Sequence, residues 1–249
     1  MRHAMNVIEI NGGQVREGEV TRLTVVPGVK GYTNAQIDDY HGLRRSRFLW
    51  EPESELSLKA RFSSEEDQIL GTAGFGFWNA PFGDAGYPWP TLPSAVWFFY
   101  ASEPSDLPLN VEDSGRGWFI STIDSRQPGS LLLMPLSPVL ILLNNVLRLK
   151  RSLWPVIRRK LKIDFNEIGT PMSGWLEYRL RWSQSSCEFW VDGNLIYRTA
   201  SSPGSRLGFV CWIDNQYLVA TPTGRFRWGT LELDNEQWLE VADLKLRHL

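Results

Sequence analysis

The chain has 249 residues, a formal net charge of −2, 43% hydrophobic and 12% aromatic residues, and 12 Trp. No low-complexity linker divides it, so one β-rich domain over 1–249 is expected. Two cysteines (Cys187, Cys211), scattered histidines and the lack of CxxC, HExxH, GxGxxG or P-loop patterns exclude a zinc site and nucleotide-cofactor chemistry. No metal, cofactor or nucleic-acid partner is expected.

The N-terminal stretch MRHAMNVIEINGG lacks the apolar core of a secretory signal, which points to the cytoplasm. A secreted chain already freed of its signal reads the same way. Short apolar or alternating runs bounded by turn residues then recur at 19–26, 55–62, 72–78, 95–101, 117–123, 175–182, 186–191, 195–199, 206–213, 225–231 and 238–247. That density of strands predicts an all-β sandwich or barrel.

Several of these segments carry chemistry. YTNAQIDDYHG holds Asn34, Gln36, Asp38 and Asp39. The run TAGFGFW sets Ala73, Phe75 and Phe77 against Gly74, Gly76 and Trp78, and the bare second face admits another layer or a ligand. A Pro-, Gly- and aromatic-rich loop follows, beginning at Asn79. The strand AVWFFYA is apolar on both faces and reads as central. Either Ala95, Trp97, Phe99 and Ala101 or Val96, Phe98 and Tyr100 line a binding face, and alternation alone does not choose between them.

Residues 137–162, SPVLILLNNVLRLKRSLWPVIRRKLK, break the β pattern. Ser137 and Pro138 suit a helix start. Apolar residues then follow helical spacing, while basic residues gather on another face. Arg148, Lys150, Arg151, Arg158, Arg159, Lys160 and Lys162 are unbalanced by any acid between Gln127 and Ile163. A basic amphipathic helical insertion is expected. It reads either as an ordinary solvated cover or as a foot on an anionic membrane surface, contacting it through Arg148, Arg151, Trp154, Arg158, Arg159 and Lys162. Proline, asparagine and arginine interruptions argue against a spanning helix.

Farther on, CEFWV and LIYRT flank Asp192-Gly193-Asn194, a strong hairpin signal because Asp-Gly tolerates positive φ. WIDNQY then groups Trp212, Asp214, Asn215 and Tyr217. Carboxylate, amide and aromatic groups in such proximity suit sugar hydroxyls, or an acid/base beside an apolar substrate. They equally suit plain turns.

Three pieces together resemble the concanavalin A-like lectin and glucanase superfamily: GTAGFGFWNAPFGD, WLEYRLRWSQSSCEFWVDGNLIYRT and WLEVADLKL. The resemblance implies a jelly-roll sandwich with a concave binding sheet, here carrying the inserted basic amphipathic helical segment. It also implies, for family 16 glycoside hydrolases, an E-x-D-x-x-E strand supplying two carboxyls about 5 Å apart. The corresponding stretch PSAVWFFYASEP has no such pair. Lectin calcium sites need clustered Asp and Asn, and Asp84 finds no second ligand.

The expectation is therefore a groove that binds a largely apolar or lipid-like molecule, through Asn34, Gln36, Trp78, Asn79, Trp97, Phe99, Tyr100, Trp212, Asn215 and Tyr217. Asp38, Asp39 and Asp214 are the candidates for cofactor-free isomerisation, cyclisation or hydrolysis, and the basic helix is the candidate membrane contact. The alternative is a carbohydrate-active protein, either a divergent glycosidase or a sugar-binding module.

Overall fold

The computed structural model describes residues 4–65, 68–83, 89–107, 115–126, 159, 162–221 and 225–249. Two seven-stranded sheets, antiparallel throughout, make a sandwich. The first runs in the order β1 (Asn6–Ile10), β4 (Asn34–Asp38), β13 (Gly208–Asp214), β6 (Thr72–Trp78), β7 (Ser94–Ala101), β8 (Gly117–Asp124) and β9 (Asp164–Glu167). The second runs β12 (Asn194–Thr199), β11 (Cys187–Val191), β10 (Leu176–Trp182), β5 (Ser54–Phe62), β16 (Gln237–His248), β3 (Val20–Val25) and β2 (Gln14–Arg16). A separate hairpin pairs β14 (Gln216–Ala220) with β15 (Phe226–Thr230).

Alternation decides which residues close the sandwich. From the first sheet Phe75, Phe98 and Trp118 point inward, and from the second Phe62, Tyr178 and Phe189 meet them, all in one buried cluster. Phe98 stands 5.1 Å from Tyr178 and 5.4 Å from Phe189, centroid to centroid, both edge to face. Phe75 meets Tyr178 at 5.1 Å, and Phe62 meets Trp118 at 5.3 Å. Both free cysteines, Cys187 and Cys211, are buried in the same core.

With Val96, Phe98 and Tyr100 committed to that core, the open choice on β7 closes: Trp97 and Phe99 face outward. Tyr100, expected among the ligand contacts, instead donates its hydroxyl to the Ile69 carbonyl at 2.8 Å inside the sandwich.

The outer face of the second sheet is made water-compatible by charge rows running across the strands. Arg198 pairs with Glu188, Arg181 and Arg247 both reach Glu55, and Arg22 and Arg61 clamp Glu240 at 2.7 Å each. Indoles fill the spaces between the rows, with Arg22 over Trp238 at 4.3 Å and Arg179 over Trp190 at 4.2 Å.

Each run expected from alternation recurs as a strand with ends within two residues. The Asp192-Gly193 turn has φ of 47° and 75° and joins β11 to β12, as the dipeptide predicts. Strands β1, β2, β4, β9 and β14 were not expected. β4 is the instructive one, because its outward Asn34, Gln36 and Asp38 made a true strand read as turn chemistry. The expected helix at 137–162 lies outside the described residues except for Arg159 and Lys162. Among the described residues no helix is long and apolar enough to cross a membrane.

Replacing Phe98 by Ala opens a void where both sheets converge and is expected to cost about 3–5 kcal/mol. The measurement is the urea midpoint of purified protein. A shift corresponding to less than about 1 kcal/mol would show that the two sheets do not depend on this contact.

Candidate functional site

The outer face of the first sheet is the chemically unusual surface. β6 contributes Thr72, Gly74, Gly76 and Trp78 to it, and the two glycines leave a bare strip between Trp212 on β13 and Trp97 on β7. A Cβ on Gly74 would collide with the Phe98 carbonyl and stand 3.0 Å from Trp212 Cη2. The layer that the glycines admit is thus the Trp212 ring itself.

The result is a continuous aromatic plate. Trp78 and Trp212 lie nearly parallel, 6.4 Å apart with 8° between planes, and Trp97 meets them at 5.8 and 5.5 Å. Phe99 extends the plate at 4.9 Å from Trp97 and 5.4 Å from Trp212, and Phe119 on β8 follows at 5.3 Å. Phe99 and Trp212 are buried, whereas Trp78 and Trp97 keep partial exposure.

Every indole N–H of the plate is already bonded within the protein. Trp78 donates to the Tyr40 hydroxyl at 2.7 Å, Trp97 to Ser121 Oγ at 3.1 Å and Trp212 to Thr72 Oγ1 at 2.9 Å. The rings are locked in orientation by their donors, and the exposure that Trp78 and Trp97 keep is largely apolar ring surface.

At the Tyr40 end, Gln36 donates to Asp38 Oδ2 at 2.8 Å and to the Tyr40 hydroxyl at 3.3 Å. Asp38 is fully buried and also accepts from Asn6 Nδ2 and from the backbone N–H groups of Tyr40 and His41, which shapes the turn out of β4. Asp39 lies away from this network: it accepts from Trp50 Nε1 and the Phe209 N–H. The two adjacent carboxyls therefore do not act on one site.

At the opposite end Asp214 accepts from Thr72 Oγ1 at 2.8 Å, from the Thr72 N–H and from the Gln216 N–H. Beside it in the sheet register stands Asn34, whose buried Oδ1 has no bonded donor. The other two predicted amides serve as braces. Asn79 joins the Leu92 carbonyl and the Ser94 N–H, closing the loop after β6, and Asn215 ties Gly31, Thr33 and Leu231. Tyr217 sits on the separate hairpin, where Gly229 leaves room for its ring.

Of the expected membrane contacts, Arg148, Arg151, Trp154 and Arg158 fall outside the described residues, Arg159 is exposed, and Lys162 Nζ donates to the Ser202 carbonyl at 3.4 Å. Among the described residues no group of three His, Cys, Asp or Glu is placed to hold a metal ion.

Three residues that the sequence did not single out complete the site. Thr72 and Ser121 were within reach of alternation, since each shares its strand face with a ring of the plate. Arg45 had no sequence signal. It is buried in the 3-10 turn Arg45–Arg47 and donates to the carbonyls of Asn79, Ala80 and Trp89 at 2.8, 2.6 and 2.8 Å, pinning both limbs of the loop beside Trp78.

Burial dominates the titration of the two inner carboxyls. Desolvation pushes Asp39 up to about 6, the nearby Asp38 charge adding to it and the Trp50 and Phe209 hydrogen bonds opposing it. Desolvation likewise pushes Asp214 up to about 7 against the donors around it. Both sit above the ordinary carboxyl value, so the folded chain binds more protons than the unfolded chain between about pH 4 and 7, and these groups favour folding as pH falls through that window. The denaturation midpoint is accordingly expected to rise on acidification from pH 7.5 to 5. An Asp214→Asn variant, measured by the same denaturant titrations, should flatten that rise; an unchanged slope would show that Asp214 is ionised in the folded protein.

The sequence matches no protein-family model and no curated protein. Among solved structures, the GlcNAcα1-4Gal-releasing endo-β-galactosidase of Clostridium perfringens aligns with 98% of this chain at 10% identity and a TM-score of 0.51. The Emp47p carbohydrate recognition domain aligns with 98% at 11% identity and 0.47, covering 88% of that domain. A pseudo β-1,3-glucanase of Mycobacterium tuberculosis aligns with 92% at 10% identity and 0.47, covering 75% of that chain. This chain spans 58% of the endo-β-galactosidase and 17% of a matched sialidase. The feature shared with the endo-β-galactosidase is the fold, a sandwich of two antiparallel sheets.

Proposed function

We propose that the outer face of the first sheet binds a sugar chain. The observation that carries this is the plate of Trp78, Trp97 and Trp212, whose N–H groups are bonded internally and whose two outer members keep partial exposure. A pyranose presents a face of C–H groups that packs on such a ring, and a rim of hydroxyls that bonds to polar neighbours. Half-buried Gln36 places an amide beside the rings at the Tyr40 edge, while the buried Tyr40 and Ser121 hydroxyls hold the indoles from within. The fold is shared with an enzyme named for releasing GlcNAcα1-4Gal, which supports the reading only by analogy.

Binding, rather than hydrolysis by a retaining pair, is the form proposed. The three central strands β13, β6 and β7 bring one carboxylate, Asp214, to this face, whereas a retaining mechanism needs two about 5 Å apart. A second reading, a largely apolar ligand, is favoured by the same bonding of the indole donors, which leaves the floor apolar.

Isothermal titration against a panel of neutral and acidic oligosaccharides separates the two. Wild-type protein is expected to bind at least one, and Trp97→Ala to weaken that binding at least about tenfold through the lost ring contact. No binding across the panel, together with an apolar molecule carried through purification in the native mass spectrum, would replace the sugar reading with the apolar one.

A further inference from the structure

At the Trp78 end of the plate the chain turns through His41–Phe48, HGLRRSRF, a stretch without an acidic residue. Here Gly42, Leu43, Arg44 and Arg47 line an open pocket. Leu43 packs against the cluster that holds Tyr40, Phe48 and Trp212, and its N–H donates to the carbonyl of Tyr40, whose hydroxyl holds Trp78, so the pocket lies at the Trp78 side of the plate. Its two arginines are exposed, and neither makes a side-chain ion pair with a described carboxylate.

The middle arginine of the run behaves differently. Arg45 is buried and donates to three carbonyls of the loop after β6, Trp89 among them. It fixes the turn against that loop, while Arg44 and Arg47 on either side of it are exposed to solvent. The nearest described ion pair in sequence, Arg206 with Glu51, satisfies Glu51 with a different arginine. An apolar plate that ends in guanidinium groups without a carboxylate partner among the described residues suits a ligand that is sugar-like along its length and anionic at one position, because a guanidinium fork matches a carboxylate or sulfate in two parallel hydrogen bonds.

We propose that the Arg44–Arg47 pocket is an anion subsite, and that the sugar chain bound on the plate is an acidic one, carrying a uronate carboxylate or a sulfate. This rests on the sugar-binding reading above and specifies its ligand class.

The test compares matched pairs of oligomers by titration calorimetry: oligogalacturonate with its methyl ester, and a sulfated galactan fragment with its desulfated form. Wild-type protein is expected to bind an acidic member about tenfold more tightly than its neutral partner, with the preference shrinking as salt rises. The double variant Arg44→Gln/Arg47→Gln should bring the acidic oligomer down to the neutral level while unfolding at the wild-type temperature, since both side chains are exposed. Equal affinity for both members of each pair overturns the anion subsite and leaves sugar binding standing. A preference that survives in the double variant overturns this location. Failure of every oligomer, acidic and neutral, overturns sugar binding itself and the subsite with it.

Discussion

The contact on which the rest of the molecule depends is the meeting of Phe75, Phe98 and Trp118 with Tyr178, Phe189 and Phe62 between the two sheets. Strand side chains alternate, so committing Phe98 to that cluster commits Trp97 and Phe99 to the other side, and a one-residue slip would exchange the two sets. Both sets are aromatic on β7, and composition alone does not break the tie. Complementary rings on β10 and β11 do, because they offer the inward set tilted and edge-to-face partners within the close packing of a sandwich core.

What the core leaves outside is an ordered surface, not residual hydrophobicity. The bare strip of Gly74 and Gly76 lets the Trp212 ring lie against the backbone, and three side-chain hydroxyls hold the three indoles by their donors. Such a plate is prepared in advance and loses little entropy when a ligand packs on it. The carboxyls that chemistry would call upon are spent differently: Asp38 shapes a turn, Asp39 bonds Trp50 and the β13 backbone, and Asp214 gathers donors from β6 and β14. Their hydrogen bonds oppose the desolvation of burial in part, which is a structural use of the carboxyl groups.

Charge is distributed just as unevenly over the outside. On the second sheet, arginines are neutralised in rows by Glu55, Glu188 and Glu240, with indoles packed between them. Against the desolvation of its nearly buried position, the hydrogen bonds from Arg61 and Arg22 hold Glu240 below the usual carboxylate range. Around the Arg45–Arg47 turn the buried arginine is absorbed by carbonyls, and its two exposed neighbours, Arg44 and Arg47, have no ion-pair partner among the described residues. The same residue type therefore solubilises one face and marks the rim of the other.

The strands and the Asp192-Gly193 hairpin were legible because alternation and turn chemistry act over a few residues, and local sequence carries them completely. So was the candidate surface in outline: Trp78, Trp97, Phe99 and Trp212 were all marked by the glycine strip and the aromatic runs. Tyr100 was misplaced, and β4 was hidden, because each depended on which neighbour stood opposite. By itself, then, the sequence determined an all-β chain with an aromatic, carboxylate-poor central strand. Only the tertiary structure decided which aromatics face out, which carboxyls are buried in structural bonds, and which of three consecutive cationic positions points into solvent. Those outcomes belong to contacts between segments far apart in the chain, from Arg45 with Asn79 to Thr72 with Asp214, and no local pattern encodes them.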